Sequence, residues 1–227
     1  MIHPVGFIRS CFDEKFATPR QPGLCPDAWG DLIFDPAYRN PDTLRGIEGF
    51  SHLWIVFGFH ETIDQGWNPT VRPPRLGGNE RVGVFATRST FRPNGLGLSL
   101  VQLKQIRTDP ALGPVLELGG IDLIDGTPVY DIKPYLPYAE SIPDARSGFA
   151  QAEIPRLTIE IDSTATVVFE SLTEREQSVI RQALSLDPRP ATCPTDPSRT
   201  HGVRMCGRNI RFTIQDNICR ITEITPD

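Results

Sequence analysis

Arg72–Ser99 reads RPPRLGGNERVGVFATRSTFRPNGLGLS. A β-type run, Val82-Gly83-Val84-Phe85-Ala86-Thr87, stands between two turn signals, Gly77-Gly78-Asn79 before it and Pro93-Asn94-Gly95 after it. Five arginines (Arg72, Arg75, Arg81, Arg88 and Arg92) flank the run, in a chain whose formal net charge is −5. Guanidinium groups present forked donors that match carboxylates and phosphates. The glycines permit positive φ and close backbone approach, which a ligand-cradling loop needs. The competing reading is a solvated, arginine-rich edge.

Working outward, the flanking segments read as strands. In Ile47–His60, IEGFSHLWIVFGFH, the residues Leu53, Ile55, Phe57 and Phe59 share one face, and His52, Trp54, Val56, Gly58 and His60 share the other. Apolar groups on both faces point to a strand buried twice or lining a pocket, with His60 where it meets a loop. Val5–Arg9, Leu98–Ile106 and Val115–Leu118 are further strands. Asp125-Gly126 predicts a tight hairpin turn, and Asp131–Tyr138 a proline-stiffened arm leaving the sheet. Short strands with turn punctuation and no helical period indicate a β-barrel or sandwich. Val115–Gly120, VLELGG, imitates the opening of a Rossmann methyltransferase. It lacks the further glycine and the helix that motif requires, so that reading is rejected.

Beyond residues 143–156, read as a linker, the pattern changes. Leu157–Ile161 and Thr166–Glu170 read as strands, and Thr173-Glu174-Arg175-Glu176 as a capping box. Val179, Ile180, Ala183 and Leu184 form a helical stripe, stopped by Asp187-Pro188-Arg189-Pro190. Ile210–Ile214 and Ile218–Ile224 read as a hairpin around Asp216-Asn217. The expected fold is mainly β: an N-terminal barrel over residues 1–142 and a small C-terminal α+β domain over residues 157–227.

Composition bounds the function. A length of 227 residues with 22 prolines and 19 glycines allows one large domain plus a small one, with few long helices. The pI near 5.4 argues against a non-specific nucleic-acid coat but allows a local basic patch. Five scattered cysteines without a C-x-x-C give neither a disulfide framework nor a zinc ribbon, and no metal site is expected. Without a signal peptide or a spanning apolar run, the chain reads as soluble and cytoplasmic.

Four segments together resemble the TsaA-like family: PRQPGL at Pro19–Leu24, GFSHLWIVFGFH at Gly49–His60, RPPRLGGNERVGVFATRSTFRPN at Arg72–Asn94, and DLIDGTPVYDIKPYLPY at Asp122–Tyr138. The later DPRP at Asp187–Pro190 is similar to that family's C-terminal motif. The resemblance implies a non-Rossmann β-barrel working as a homodimer. It also implies an S-adenosylmethionine-dependent tRNA methyltransferase acting on N6 of threonylcarbamoyladenosine, 3′ of the anticodon. Cofactor contacts implied for this chain are Gln21, Pro22, Gly23, His60, Glu61, Arg88, Leu98, Asp122, Leu123, Ile124 and Asp125. Arg72, Arg75, Arg81 and Arg92 are the expected phosphate or carboxylate contacts, and Asp187 and Arg189 the RNA-facing residues of the small domain. No general base is assigned. Two departures stand out: Gly95-Leu96 where the family has Pro-Ile after FRPN, and Thr192 where it has tyrosine after DPRPA. The alternatives are a non-catalytic RNA- or nucleotide-binding barrel and a methyltransferase for another acceptor.

Overall fold

A computed structural model describes residues 2–190, 196 and 198–227, so Thr192 lies outside the described residues. The chain runs β1 (Gly6–Ser10), β2 (Trp29–Phe34), β3 (His52–Gly58), β4 (Thr70–Val71), β5 (Val82–Gly83), β6 (Leu96–Asp109), β7 (Gly113–Gly119) and β8 (Pro128–Pro134). There follow α1 (Pro137–Glu140), β9 (Thr158–Ile161), α2 (Ser163–Ser171), α3 (Glu174–Ser185), β10 (His201–Met205), β11 (Arg208–Gln215) and β12 (Ile218–Pro226). The protein is mainly β, as the sequence predicts.

Six strands pair in the circuit β1-β2-β7-β6-β3-β8, which returns to β1 through Gly6↔Val129 and Phe7↔Pro128. The two-residue alternation in β3 holds: Leu53, Ile55 and Phe57 are buried, while His52, Trp54 and Val56 are half-exposed on the other face. Ile8, Leu32, Val101, Leu116, Leu118 and Val129 meet them inside. Burying apolar area at roughly 25 cal/mol per Å² is what closes such a ring, and closure leaves no free edge to aggregate.

A second sheet, ordered β10-β11-β12-β9, carries α2 and α3. The capping box of α3 forms in both directions, with Thr173 N donating to Glu176 Oε2 (2.8 Å) and Glu176 N to Thr173 Oγ1 (3.3 Å). Val179, Ile180, Ala183 and Leu184 are buried. Asp216 and Asn217 both take positive φ between β11 and β12, as a two-residue hairpin turn demands. The two sheets share one hydrophobic core and are joined by a bridge between Phe12 and Met205. Among the described residues no helix is long and apolar enough to cross a membrane.

Four expectations are corrected. The run Val82–Thr87 is strand only at Val82–Gly83, and Val84–Ala86 is a 3-10 turn. Thr87 donates to the Val84 carbonyl through both its amide (3.1 Å) and its hydroxyl (2.8 Å), which curls the chain. Thr166–Glu170 lies in α2, because Asp162 caps the N-terminus and Ala165 and Phe169, one turn apart, are buried on one side. Asp125-Gly126 makes no hairpin, since β7 and β8 do not pair with each other. Asp131–Pro134 stays in the sheet as the end of β8, paired to β3, and Pro137–Glu140 is helical.

Candidate functional site

The segment after β7 crosses one end of the closed sheet, and backbone hydrogen bonds hold it there. Asp125 N donates to Phe12 O (2.9 Å) and Gly126 N to Ile8 O (2.8 Å). Ser10 Oγ donates to Leu123 O (2.6 Å), and Asp125 Oδ1 accepts from Ser10 N (2.9 Å). Asp125 therefore fixes the loop to the end of β1. The Leu123 side chain is core and Ile124 packs against it, so both leave only backbone groups to face outward.

Asp122 opens this segment. It accepts from Ser99 Oγ at 2.6 Å. Desolvation pushes its carboxyl up to about 6, against the pull of the Ser99 hydroxyl and the nearby Arg88 guanidinium. Arg88 in turn donates from Nη1 to Gln21 Oε1. Gln21 and Arg88 thus form one hydrogen-bonded pair and Ser99 and Asp122 another, and the Arg88 charge felt at Asp122 relates the two, across the PRQPG loop, the ATRS segment, β6 and the crossing loop. Gly23 N donates to Gly120 O at 2.8 Å, and a Cβ at Gly120 would lie 3.6 Å from the Gly23 Cα. Both take positive φ, so glycine lets the PRQPG loop lie against the end of β7. His60 reaches the same crossing loop from β3, its Nε2 standing 3.9 Å from where a Cβ at Gly126 would be.

The remaining expected residues have the following surroundings. Leu98 projects from β6 to the face opposite Ser99 and is half-exposed, beside Val56 of β3. The Glu61 carbonyl accepts from Gln65 Nε2 (3.3 Å), and Pro22 is half-buried next to Gly23. Arg72 is exposed. Arg81 donates to Thr70 Oγ1 (2.8 Å) and Arg92 to Thr87 O (3.1 Å), bracing the turn that carries Phe85. Arg75 donates to the carbonyls of Ala150 and Ala152, pinning the segment between the two sheets. Arg189 grips Asp187 through Nε (2.9 Å) and Nη2 (2.8 Å), and Arg20 donates to the Arg189 carbonyl (3.1 Å).

Gly95 takes φ +58, which a proline ring forbids, and a Cβ there would stand 2.4 Å from Ile63 Cδ1. The Gly95 departure from the resembling motif is thus a different turn, held by packing against Ile63. Sequence reasoning missed Ser99. The available signal was a hydroxyl at an inward-facing position two residues before the buried Val101.

The donor set fits S-adenosylmethionine. A free amino acid end needs a guanidinium for its carboxylate, ribose hydroxyls need acceptors such as Asp122, and an adenine edge suits the backbone of a loop like 121–126. A model of the tRNA-methyltransferase O N-terminal domain matches residues 7–141, and one of the TrmO C-terminal domain matches residues 155–227. The chain is 50% identical over 218 residues to the tRNA (adenine(37)-N6)-methyltransferase of Escherichia coli K12, covering 93% of this chain and 92% of that one. It is 46% identical over 215 residues to a putative S-adenosylmethionine-dependent methyltransferase, RcsF, of Pseudomonas aeruginosa, covering 93% and 91%. The crystal structure of TrmO from P. aeruginosa superposes with a TM-score of 0.80 at 38% identity, covering 99% of this chain and 97% of that one. With both family segments matched along nearly its whole length, the chain belongs to the tRNA-methyltransferase O (TrmO) family.

Proposed function

We propose that this protein is an S-adenosylmethionine-dependent tRNA methyltransferase acting on N6 of adenine 37, and that its acceptor is the threonylcarbamoyl form of that adenosine. The observation that carries the reading is the grouping of the Gln21–Arg88 and Ser99–Asp122 hydrogen-bonded pairs at one end of the closed sheet, inside a family match spanning both parts of the chain. The six-stranded circuit is read as the TsaA-like barrel, working as a homodimer.

S-adenosylmethionine, when bound, would supply a methyl group on a sulfonium centre for in-line displacement by N6, the C–S pair staying with the neutral thioether and the N6 proton passing to solvent. The chain's own task is then largely alignment and exclusion of water. Arg88 is suited to a carboxylate, either of the cofactor's amino acid end or of the threonyl group. Asp122, held by Ser99, accepts from hydroxyl or amino groups. The backbone of the crossing loop and of Gly23 offers amides and carbonyls, and His60 closes the site from the β3 side. Arg72, Arg81 and Arg92 are assigned to phosphates, which fix register without reading sequence. Arg75, held by two backbone carbonyls, and Arg189, neutralised by the Asp187 carboxylate, are assigned to shaping the surface on which the RNA lies. An anticodon-loop base is cheaper to extrude than a paired one.

Thermal unfolding with and without S-adenosylmethionine tests the site. The wild type should gain Tm by mass action and sediment at twice 25.3 kDa. Arg88→Ala should keep the mass and lose the gain. A full cofactor response in Arg88→Ala would remove Arg88 from the site, and a monomer would remove the dimer.

A further inference from the structure

Residues 62–95 leave the closed sheet between β3 and β6 as an excursion built on the β4–β5 ribbon. Its charge runs against that of the whole chain: five arginines stand there with two acids, Asp64 and Glu80. Two aromatic rings face solvent on it. Phe85 is 77% exposed and Trp67 is 55% exposed.

Phe85 is not a loose surface residue. Its neighbour Val84 is buried, and Val84 N donates to Pro69 O (3.0 Å), two residues after Trp67. Thr87 closes on the Val84 carbonyl from the other side. Arg92 then ties down Thr87 O, and Ser89 N donates to Thr87 Oγ1 (3.2 Å). The turn is thus braced at each end while its ring points outward. Three residues on, Arg88 donates to Gln21 and its charge acts on the Asp122 carboxyl. A rigid aromatic ring among arginines, next to the site, has the chemistry that unpaired nucleobases recognise: stacking on the ring, with guanidinium groups for the adjoining phosphates.

Resting on the reading above, we infer that Phe85, with Trp67 on the same excursion, is the stacking platform for unpaired bases of the RNA loop that carries the target adenosine. Sequence-tolerant stacking of this kind holds the loop open while leaving the target base to the site.

The test is the affinity for an anticodon stem-loop RNA, measured without cofactor, against a fully paired hairpin as control. Stacking contacts of this kind predict that Phe85→Ala weakens stem-loop binding about tenfold. Phe85→Leu, similar in bulk but not aromatic, should lose as much, and Phe85→Trp should bind like wild type. Binding of the paired hairpin, the sedimentation mass and the Tm gain with S-adenosylmethionine should not move. Wild-type stem-loop affinity in Phe85→Ala or Phe85→Leu overturns the inference. A changed mass would make this face an interface between copies, and a lost Tm gain would assign the ring to the cofactor, and either also overturns it. Because binding is read without cofactor, absence of methyl transfer by the wild type would count against the enzymatic reading and leave this surface standing.

Discussion

Asp122 shows how a residue legible as a motif member gains its chemistry from the fold. In sequence it is one of two aspartates in DLIDGTP, and nothing there separates it from Asp125. In the structure Asp125 caps the end of β1, whereas Asp122 is desolvated against Ser99 with Arg88 nearby. Its folded-state carboxyl rises to about 6 from 3.8, chiefly by burial. A carboxyl raised on folding makes the folded state bind more protons than the unfolded one. The cost of ionising it is absent below the unfolded value and complete above the folded one, so stability is lost as pH rises from about 4 to about 6. Asp122→Asn should therefore raise the cofactor-free stability by about 2–3 kcal/mol at pH 8, leave it unchanged at acid pH, and weaken cofactor binding. Urea midpoints at the two pH values check this. Equal midpoints for variant and wild type at pH 8 would mean that burial does not strain Asp122.

At the scale of elements, the sequence is clearest where side-chain period and turn chemistry agree. The alternation of β3, the capping box of α3 and the Asp216-Asn217 turn are read directly from residues. The segment 163–171 misleads because Thr166, Val167 and Val168 favour strands locally, while the Asp162 cap and the packing of Ala165 with Phe169 select a helix. The two readings differ in which positions share a face. A strand would bury Val167 with Phe169; the helix leaves Val167 78% exposed and buries Phe169 under Arg181, 4.8 Å above its ring. Phe169→Ala should cost about 3–5 kcal/mol and Val167→Ala within about 0.5 kcal/mol, measured by urea unfolding. Comparable losses at both positions would contradict the helix. The turn at Gly95 belongs to the same lesson. A substitution relative to a motif looks minor in sequence, yet it stands at positive φ with Ile63 filling the space beside it.

Across the whole molecule, the two sheets are bound by contacts that composition cannot foretell. Arg175 of α3 lies over the Trp29 ring at 4.9 Å and pairs with Glu117 of β7 at 2.8 Å. Asp27 accepts from both Ser178 and Gln182, and these bonds hold its carboxyl below the ordinary range. Arg156 reaches back to the Leu24 carbonyl (2.8 Å), next to the PRQPG loop. Segments flanking the second sheet thus buttress the loop that carries Gln21 and Gly23, so its placement depends on both parts of the chain. The motifs contain Gln21, Arg88 and Asp122 of the candidate site. The grouping of Gln21, Arg88, Ser99 and Asp122, which are far apart in sequence, comes from strand order and loop crossing. The most direct test of the function built on that grouping is methyl transfer from labelled S-adenosylmethionine to two tRNA pools, one containing threonylcarbamoyladenosine and one from cells unable to make it. Label in the first pool alone is the predicted result. Equal label in both pools, or label in neither, would contradict it.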